Sequence, residues 1–387
     1  MRRHRFAILV VIALAVCASV APAATLRVEK DGSGDFTIIQ DAVNASSAGD
    51  TILIGQGRYD DFHTFVAPAW ETEVIVDVNQ DDLTFIGAGR DLTIIGPVEM
   101  YLTGSVPEPM AVATVDTVTA TFVEIGFENA RDTIYWAHGR LKVEDCRFTG
   151  YRNGMYVFCE DGIEVRDSEF YSELPVHRGI VTHSPCGPVT VSGCDFGGLF
   201  ISEAAISING TSSVSIDGCS LILRNGVFFS GSTGTVTNCT TTSEMNQAIW
   251  VHDASQVHLA GNQLHGNYAA IYINGWSVVT GSGNRFTGGT DLATIHISSQ
   301  SEVTLNGNEI LRAGQYAAHI GQYFYEIMTN DLRDNYWGTT DPDSVAAWVW
   351  DYEDDPVTRA YIDYLPIAET PLPANRSSLG GLKALFR

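Results

Sequence analysis

Positive charge is scarce in this chain. Against 46 Asp and Glu stand only 22 Lys and Arg, and the formal net charge is -24. Arg2, Arg3 and Arg5 sit at the extreme N-terminus, and without these three the balance is 19 basic against 46 acidic side chains, or -27. Such a surface repels nucleic acid and anionic lipid, so neither is expected as a partner. A polyanionic glycan would need calcium to bridge the two charges, whereas a neutral glycan meets no such penalty. Long hydrophobic runs are missing as well. The apolar stretch Phe6–Val16 is too short to span a bilayer, so no transmembrane segment is expected in the mature chain. With arginines before it and Ala21-Pro22-Ala23 after it, this stretch reads as a secretory signal peptide over 1–23. The protein is therefore expected to be secreted, periplasmic or at the cell surface. Cys17 leaves with the peptide, and Cys146, Cys159, Cys186, Cys194, Cys219 and Cys239 remain. Export permits disulfides among them.

What the chain does contain is a repeat. The segments VEDCRF (143–148), VRDSEF (165–170), VSGCDF (191–196), IDGCSL (216–221), VTNCTT (236–241), LAGNQL (259–264), GSGNRF (281–286) and LNGNEI (305–310) recur every 20 to 26 residues. Their third column holds Asp145, Asp167, Gly193, Gly218, Asn238, Gly261, Gly283 and Gly307, all residue types that tolerate left-handed backbone angles. Each coil is expected to bend there, which lets the apolar residues on both sides of the bend face inward. The fourth column, Cys146, Ser168, Cys194, Cys219, Cys239, Asn262, Asn284 and Asn308, would then form an inward ladder in which Asn bonds the amides of neighbouring coils.

A second strand follows in each coil, for example GMYVF (154–158), GIVTH (179–183), AIWVH (248–252) and AIYIN (270–274). Short strands, one coil per two dozen residues, predict an all-β fold: a single right-handed parallel β-helix over 24–366. About eleven coils would make a rod of roughly 50 Å. An N-terminal helix carrying Phe36, Ile39, Ala42 and Val43 is expected to cap one end, with Thr37 and Gln40 forming a capping box. Helix-start chemistry at Asp341-Pro342-Asp343-Ser344 predicts a C-terminal cap, and 367–387 reads as a linker-like tail. Cys159 and Cys186 follow the second strand of successive coils and are the disulfide candidates. No His shares the ladder column, so no metal site is expected there. Calcium enters only through the acidic group Asp351, Glu353, Asp354 and Asp355, which reads more simply as a solvated turn. No other cofactor is expected.

Alternate positions of the second strand point outward. They read Tyr135, Tyr156, Val181, Ser207, Phe228, Trp250, Tyr272 and His296, and two residues on Phe158, His183, Asn209, Ser230, His252, Asn274 and Ser298. Aromatic faces beside hydrogen-bonding groups suit a sugar chain. The expected ligand-contacting set is Tyr135, Tyr156, Phe228, Trp250, Tyr272, His183, His252, Asn274 and His296. The bland alternative is that these rings merely pack from rung to rung. His252 and Asp253 are the candidates for acid and base work. Glu160 and Asp161 lie several coils away and could not converge on the same bond.

The opening KDGSGDFTIIQDAVNASSAGDTILIGQGRYDD (30–61), the rungs above and DNYWG (334–338) together resemble the secreted right-handed parallel β-helix superfamily with the pectin lyase-like fold, over roughly 25–366. The resemblance implies the fold. The chemistry departs from it. Gly57-Arg58-Tyr59-Asp60-Asp61 lacks the glutamate that pectin methylesterases carry there, and their Asp-Phe-x-Phe-Gly and Gly-Arg-Pro-Trp segments have no counterpart. Neither the sheet-face arginine of pectate lyases nor the clustered aspartates of polygalacturonase-type hydrolases is found in the pattern. The expectation is a monomeric, non-catalytic protein binding a glycan or surface partner. The alternatives are a polysaccharide lyase or glycosidase acting near Trp250–Asp253, and a purely structural surface protein.

Overall fold

The left-handed corners set the architecture. All eight residues of the Asp/Gly/Asn column have positive φ, from 48° at Asp145 and Asp167 to 69° at Gly283. Each one separates two strands and swings the chain around a corner. One coil runs Gln247–His252, Gln256–Ala260 and Gln263–Gly266, and the next repeats it with Ala269–Ile273, Val278–Ser282 and Arg285–Gly288. Each of these strands pairs in parallel with its counterpart one coil on: Trp250 with Tyr272, Val257 with Val279, Leu264 with Phe286. A coil thus has three strands, because each six-residue motif holds the end of one strand, a corner and the start of another. The result is a parallel β-solenoid with three faces, gathered into a 25-stranded and an 11-stranded sheet. The structure, a computed structural model, describes residues 23–100, 108–176, 178–200, 204–323, 325 and 327–373. Residues 1–22 of the expected signal peptide and 374–387 of the expected tail lie outside the described residues. Among the described residues no helix is long and apolar enough to cross a membrane.

Two kinds of ladder fill the interior. Phe127, Phe148, Phe170 and Phe196 stack at centroid distances of 4.9, 4.4 and 4.8 Å, all fully or almost fully buried. Beside them runs the polar ladder. The amide nitrogen of Asn262 donates to Asn284 Oδ1 at 3.0 Å, that of Asn284 to Asn308 Oδ1 at 3.0 Å, and that of Asn308 to Asn335 Oδ1 at 2.7 Å. Asn335, in DNYWG, therefore belongs to this column too. Lower down, the Cys219 amide donates to Cys239 Sγ at 3.4 Å, so the thiol fills the same slot as a weaker acceptor.

A second polar column lines the opposite corner and escaped the sequence reading. Thr211, Ser232, Ser255, Ser277 and Ser301 are all buried, and the hydroxyls of Ser232, Ser255 and Ser301 accept from the amides of Thr211, Ser232 and Ser277 one coil below, at 3.1, 3.1 and 3.2 Å. Cys186 pairs with Thr211 at the head of this column, and Cys159 lies next to it one coil down. Both are buried free thiols, and burial pushes both thiols up, Cys186 to about 11. They occupy the inward slot of a ladder.

The ends are closed as the sequence suggests, with differences in detail. The helix Ile39–Ala45 buries Ile39, Ala42 and Val43, while Phe36 packs from the preceding segment. The capping box is not formed. Ile38 is the N-cap, and Gln40 instead brackets Asp77: its Oε1 accepts from Asp77 N at 2.7 Å and its Nε2 donates to Asp77 O at 3.1 Å. That side chain fastens the cap to the first coil. At the other end the helix Pro342–Ala346 is capped by Asp341, which accepts from Ser344 N at 3.2 Å. The acidic turn that follows uses its own carboxylate: Asp351 accepts from the amides of Glu353 and Ile362 at 2.9 and 2.8 Å. Among the described residues no three His, Cys, Asp or Glu converge on a metal-sized space. One element was not foreseen, an antiparallel hairpin of His63–Ala67 against Trp70–Asp77.

Candidate functional site

The front face of the solenoid carries the outward aromatic column, in the register read from the repeat. Tyr135, Tyr156, Val181, Ser207, Phe228, Trp250, Tyr272 and His296 pair in succession. The column continues past the residues singled out in sequence, to His319 and Trp350. His319 was legible from YAAHI (316–320), which copies the spacing of ATIHI (293–297). Trp350 was not, because a cap helix intervenes between it and the preceding coil.

The rings form two runs with a gap between them. In the first, Tyr156 and Phe158 meet His183 at 4.7 and 5.0 Å. Burial pushes the His183 imidazole down and the Tyr156 hydroxyl up, and the nearby Arg178 guanidinium adds to the first effect and opposes the second. In the second, Phe228 lies 4.8 Å from Trp250, which meets Tyr272 edge-on at 5.8 Å. Asn274 joins this run: its Oδ1 accepts from Trp250 Nε1 at 3.1 Å and from His252 Nδ1 at 2.8 Å. That bond fixes the tautomer of a neutral His252 and leaves its Nε2 as the acceptor.

Val181 and Ser207 are buried in the gap, and a groove of about 430 Å³ opens between the two runs. Its lining includes Arg178, Asn209, Asn225, Gln247, Phe228 and Trp250. With Asn246, four carboxamides and a guanidinium thus surround an aromatic wall. Arg178 enters through the register Asp132, Asn153, Arg178 along the edge of the face. This corrects the sequence reading, which found no arginine on the sheet face. Its strand begins with the residue itself, ahead of the GIVTH pattern, and so fell outside the compared columns.

Three other expectations are corrected by position. Tyr135 lies on the face, but Trp70 of the hairpin packs edge-on against it at 5.3 Å. His296 is only 7% exposed, sandwiched between Tyr272 at 4.8 Å and His319 at 5.0 Å, so it supports the strip from below. His252 and Asp253 do not form a pair. Asp253 takes the left-handed corner at φ 56° and points into solvent, while the His252 ring turns toward Asn274. The pair that does form near a corner is His138 with Glu160, at 2.7 Å.

Comparison with known proteins agrees with the fold. The sequence profile described as the right handed beta helix region matches residues 111–264 and 225–340, together more than half of the chain. A probable pectinesterase/pectinesterase inhibitor of Arabidopsis thaliana is 30% identical over 151 residues, which cover 34% of this chain and 21% of that protein. The chain therefore matches about a fifth of that relative's length. Among solved structures, the A-module of an Azotobacter vinelandii mannuronan C-5 epimerase is similar over 87% of this chain and 94% of its own, at 13% identity and a TM-score of 0.38. An α-1,3-glucanase catalytic unit from Streptomyces thermodiastaticus is similar over 87% and 66%, at 11% identity and a TM-score of 0.40. By the three-strand coils, the left-handed corners and the span of the profile match, this chain belongs to the right-handed β-helix family.

Proposed function

We propose that this protein binds a glycan chain along its front face, with the groove between the two aromatic runs as the principal contact. One observation carries the reading. The groove places Arg178 and the carboxamides of Asn209, Asn225 and Gln247 beside the rings of Phe228 and Trp250. Rings take the apolar faces of pyranoses, while amides and a guanidinium meet hydroxyls or a carboxylate. The column from Tyr156 to Trp350 crosses nine coils by register, roughly 40 Å at the strand spacing, long enough for an oligosaccharide. We place such a protein outside the cell, where glycans of this length occur.

The test is affinity electrophoresis in gels containing xylan, β-1,3-glucan, alginate or polygalacturonate. Retardation in at least one gel, lost in Trp250→Ala and weakened in Arg178→Ala, supports the reading. Unretarded migration in all four removes it.

A second reading, an enzyme on an acidic polysaccharide, has a specific observation in its favour. Tyr156, His183 and Arg178 gather on two adjacent coils, with Arg178 lining the groove, whereas His252 and Asp253 turn apart. Chain cleavage of alginate or polygalacturonate, abolished in His183→Gln with binding retained, would select it.

A further inference from the structure

We infer that the hairpin His63–Asp77 walls off the N-terminal end of the front face, so that the strip receives the terminal units of a glycan chain and not an internal stretch. The inference rests on the glycan reading above and specifies which part of the chain is held. By register the outward column begins with Asp77, Ala113 and Tyr135. Ala113, in this column, is 0% exposed. The hairpin covers it. Phe65, Ala67, Val74, Met110 and Ala113 form an apolar cluster of their own, separate from the solenoid interior, and Trp70, Val115 and Tyr135 pack against it. Trp70 lies 5.5 Å from Phe65 and 5.3 Å from Tyr135.

The wall is firmly held. The second strand of the hairpin is part of the front sheet, pairing Val74 with Met110 and Val76 with Val112. Its last residue, Asp77, is bracketed by Gln40 of the cap helix. A flexible flap would lack both attachments. Beyond the wall, Tyr156, Phe228, Trp250 and Tyr272 are all partly open to solvent. A chain lying along the solenoid axis, over Trp250 and the groove, therefore runs into the hairpin at Trp70 after the Tyr156 coil. A polymer bound internally would have to leave the face at that coil.

The experiment uses the full chain and narrow size fractions, short and long, of the same four polysaccharides, with binding stoichiometry read by titration calorimetry. The expected result is one protein per glycan chain whatever its length. A hairpin-shortened variant, residues 65–70 replaced by a tight Asn-Gly turn, should bind more protein per chain as length grows. Should that variant not fold, Trp70→Ala serves in its place and should show the same trend more weakly. Wild-type stoichiometry that rises in proportion to chain length overturns this inference and leaves the glycan reading standing. No heat with any polysaccharide overturns both.

Discussion

The sharpest test of the solenoid's internal chemistry is a single ladder residue, Asn284. Its Nδ2 donates to Leu259 O at 3.0 Å, to Ser282 O at 3.1 Å and to Asn308 Oδ1 at 3.0 Å. Its Oδ1 accepts from the backbone and the side chain of Asn262, at 3.0 and 2.9 Å. Both residues are essentially inaccessible to water. Asn284→Ala would leave the buried Asn262 amide without its acceptor and several carbonyls short of a donor. An unsatisfied buried group costs about 1–3 kcal/mol, and the small void adds to it, so the total should be about 3–5 kcal/mol. Asn284→Cys should be milder, about 1–2 kcal/mol, because a thiol can still accept from the amide one coil below, as Cys239 does for Cys219. Urea unfolding followed by tryptophan fluorescence gives the ranking Asn, Cys, Ala. Hydrogen exchange should show the Asn262 amide losing protection in the alanine variant before its neighbours do. A cost below about 1 kcal/mol for alanine, or a cysteine variant weaker than alanine, would refute the ladder argument.

Two pH dependences follow from buried groups on the front face. Burial, with Asp116 nearby, raises the Asp77 carboxyl from 3.8 to about 6. The folded state then holds more protons than the unfolded chain between those values, so stability should fall as pH rises through that window, by about 1–2 kcal/mol after solvent screening. Asp77→Asn should abolish the slope in thermal melts, and an unchanged slope would contradict the assignment. His296 behaves oppositely: burial first, then the adjacent His319, lowers it from 6.5 to about 3. Its stabilising share is complete above pH 6.5 and is lost as pH falls, by about 3 kcal/mol near pH 4. His296→Phe should flatten the acid limb of the stability curve, and a limb that stays as steep would place the acid sensitivity elsewhere.

The repeat was legible because its geometry leaves a mark at every coil. A corner that demands positive φ admits few residue types, and all eight corner residues obey that demand. The register of the outward column followed directly. Other features left no such mark. The hydroxyl column of Thr211, Ser232, Ser255, Ser277 and Ser301 sits among common turn residues and so has no periodic mark of its own, and the buried thiols of Cys159 and Cys186 share its corner. Gln40 had two competing uses, a local cap and a distant bracket, and the distant one prevailed because it ties two elements together. The groove could not be read at all. It exists where the aromatic column fails, at Val181 and Ser207, and a pattern search rewards presence over interruption. The hairpin matters through what it covers, a long-range relation that spacing does not encode.

The polar ladder changes material along its length. Carboxamides hold it from Asn262 to Asn335, each gripping its neighbour by backbone and side chain, while thiols and one hydroxyl hold it from Cys146 to Cys239. Since coils in a solenoid are coupled chiefly to their neighbours, cohesion should be graded in the same direction. Under mechanical tension the rod should part first among its thiol rungs and leave the carboxamide-stitched end wound.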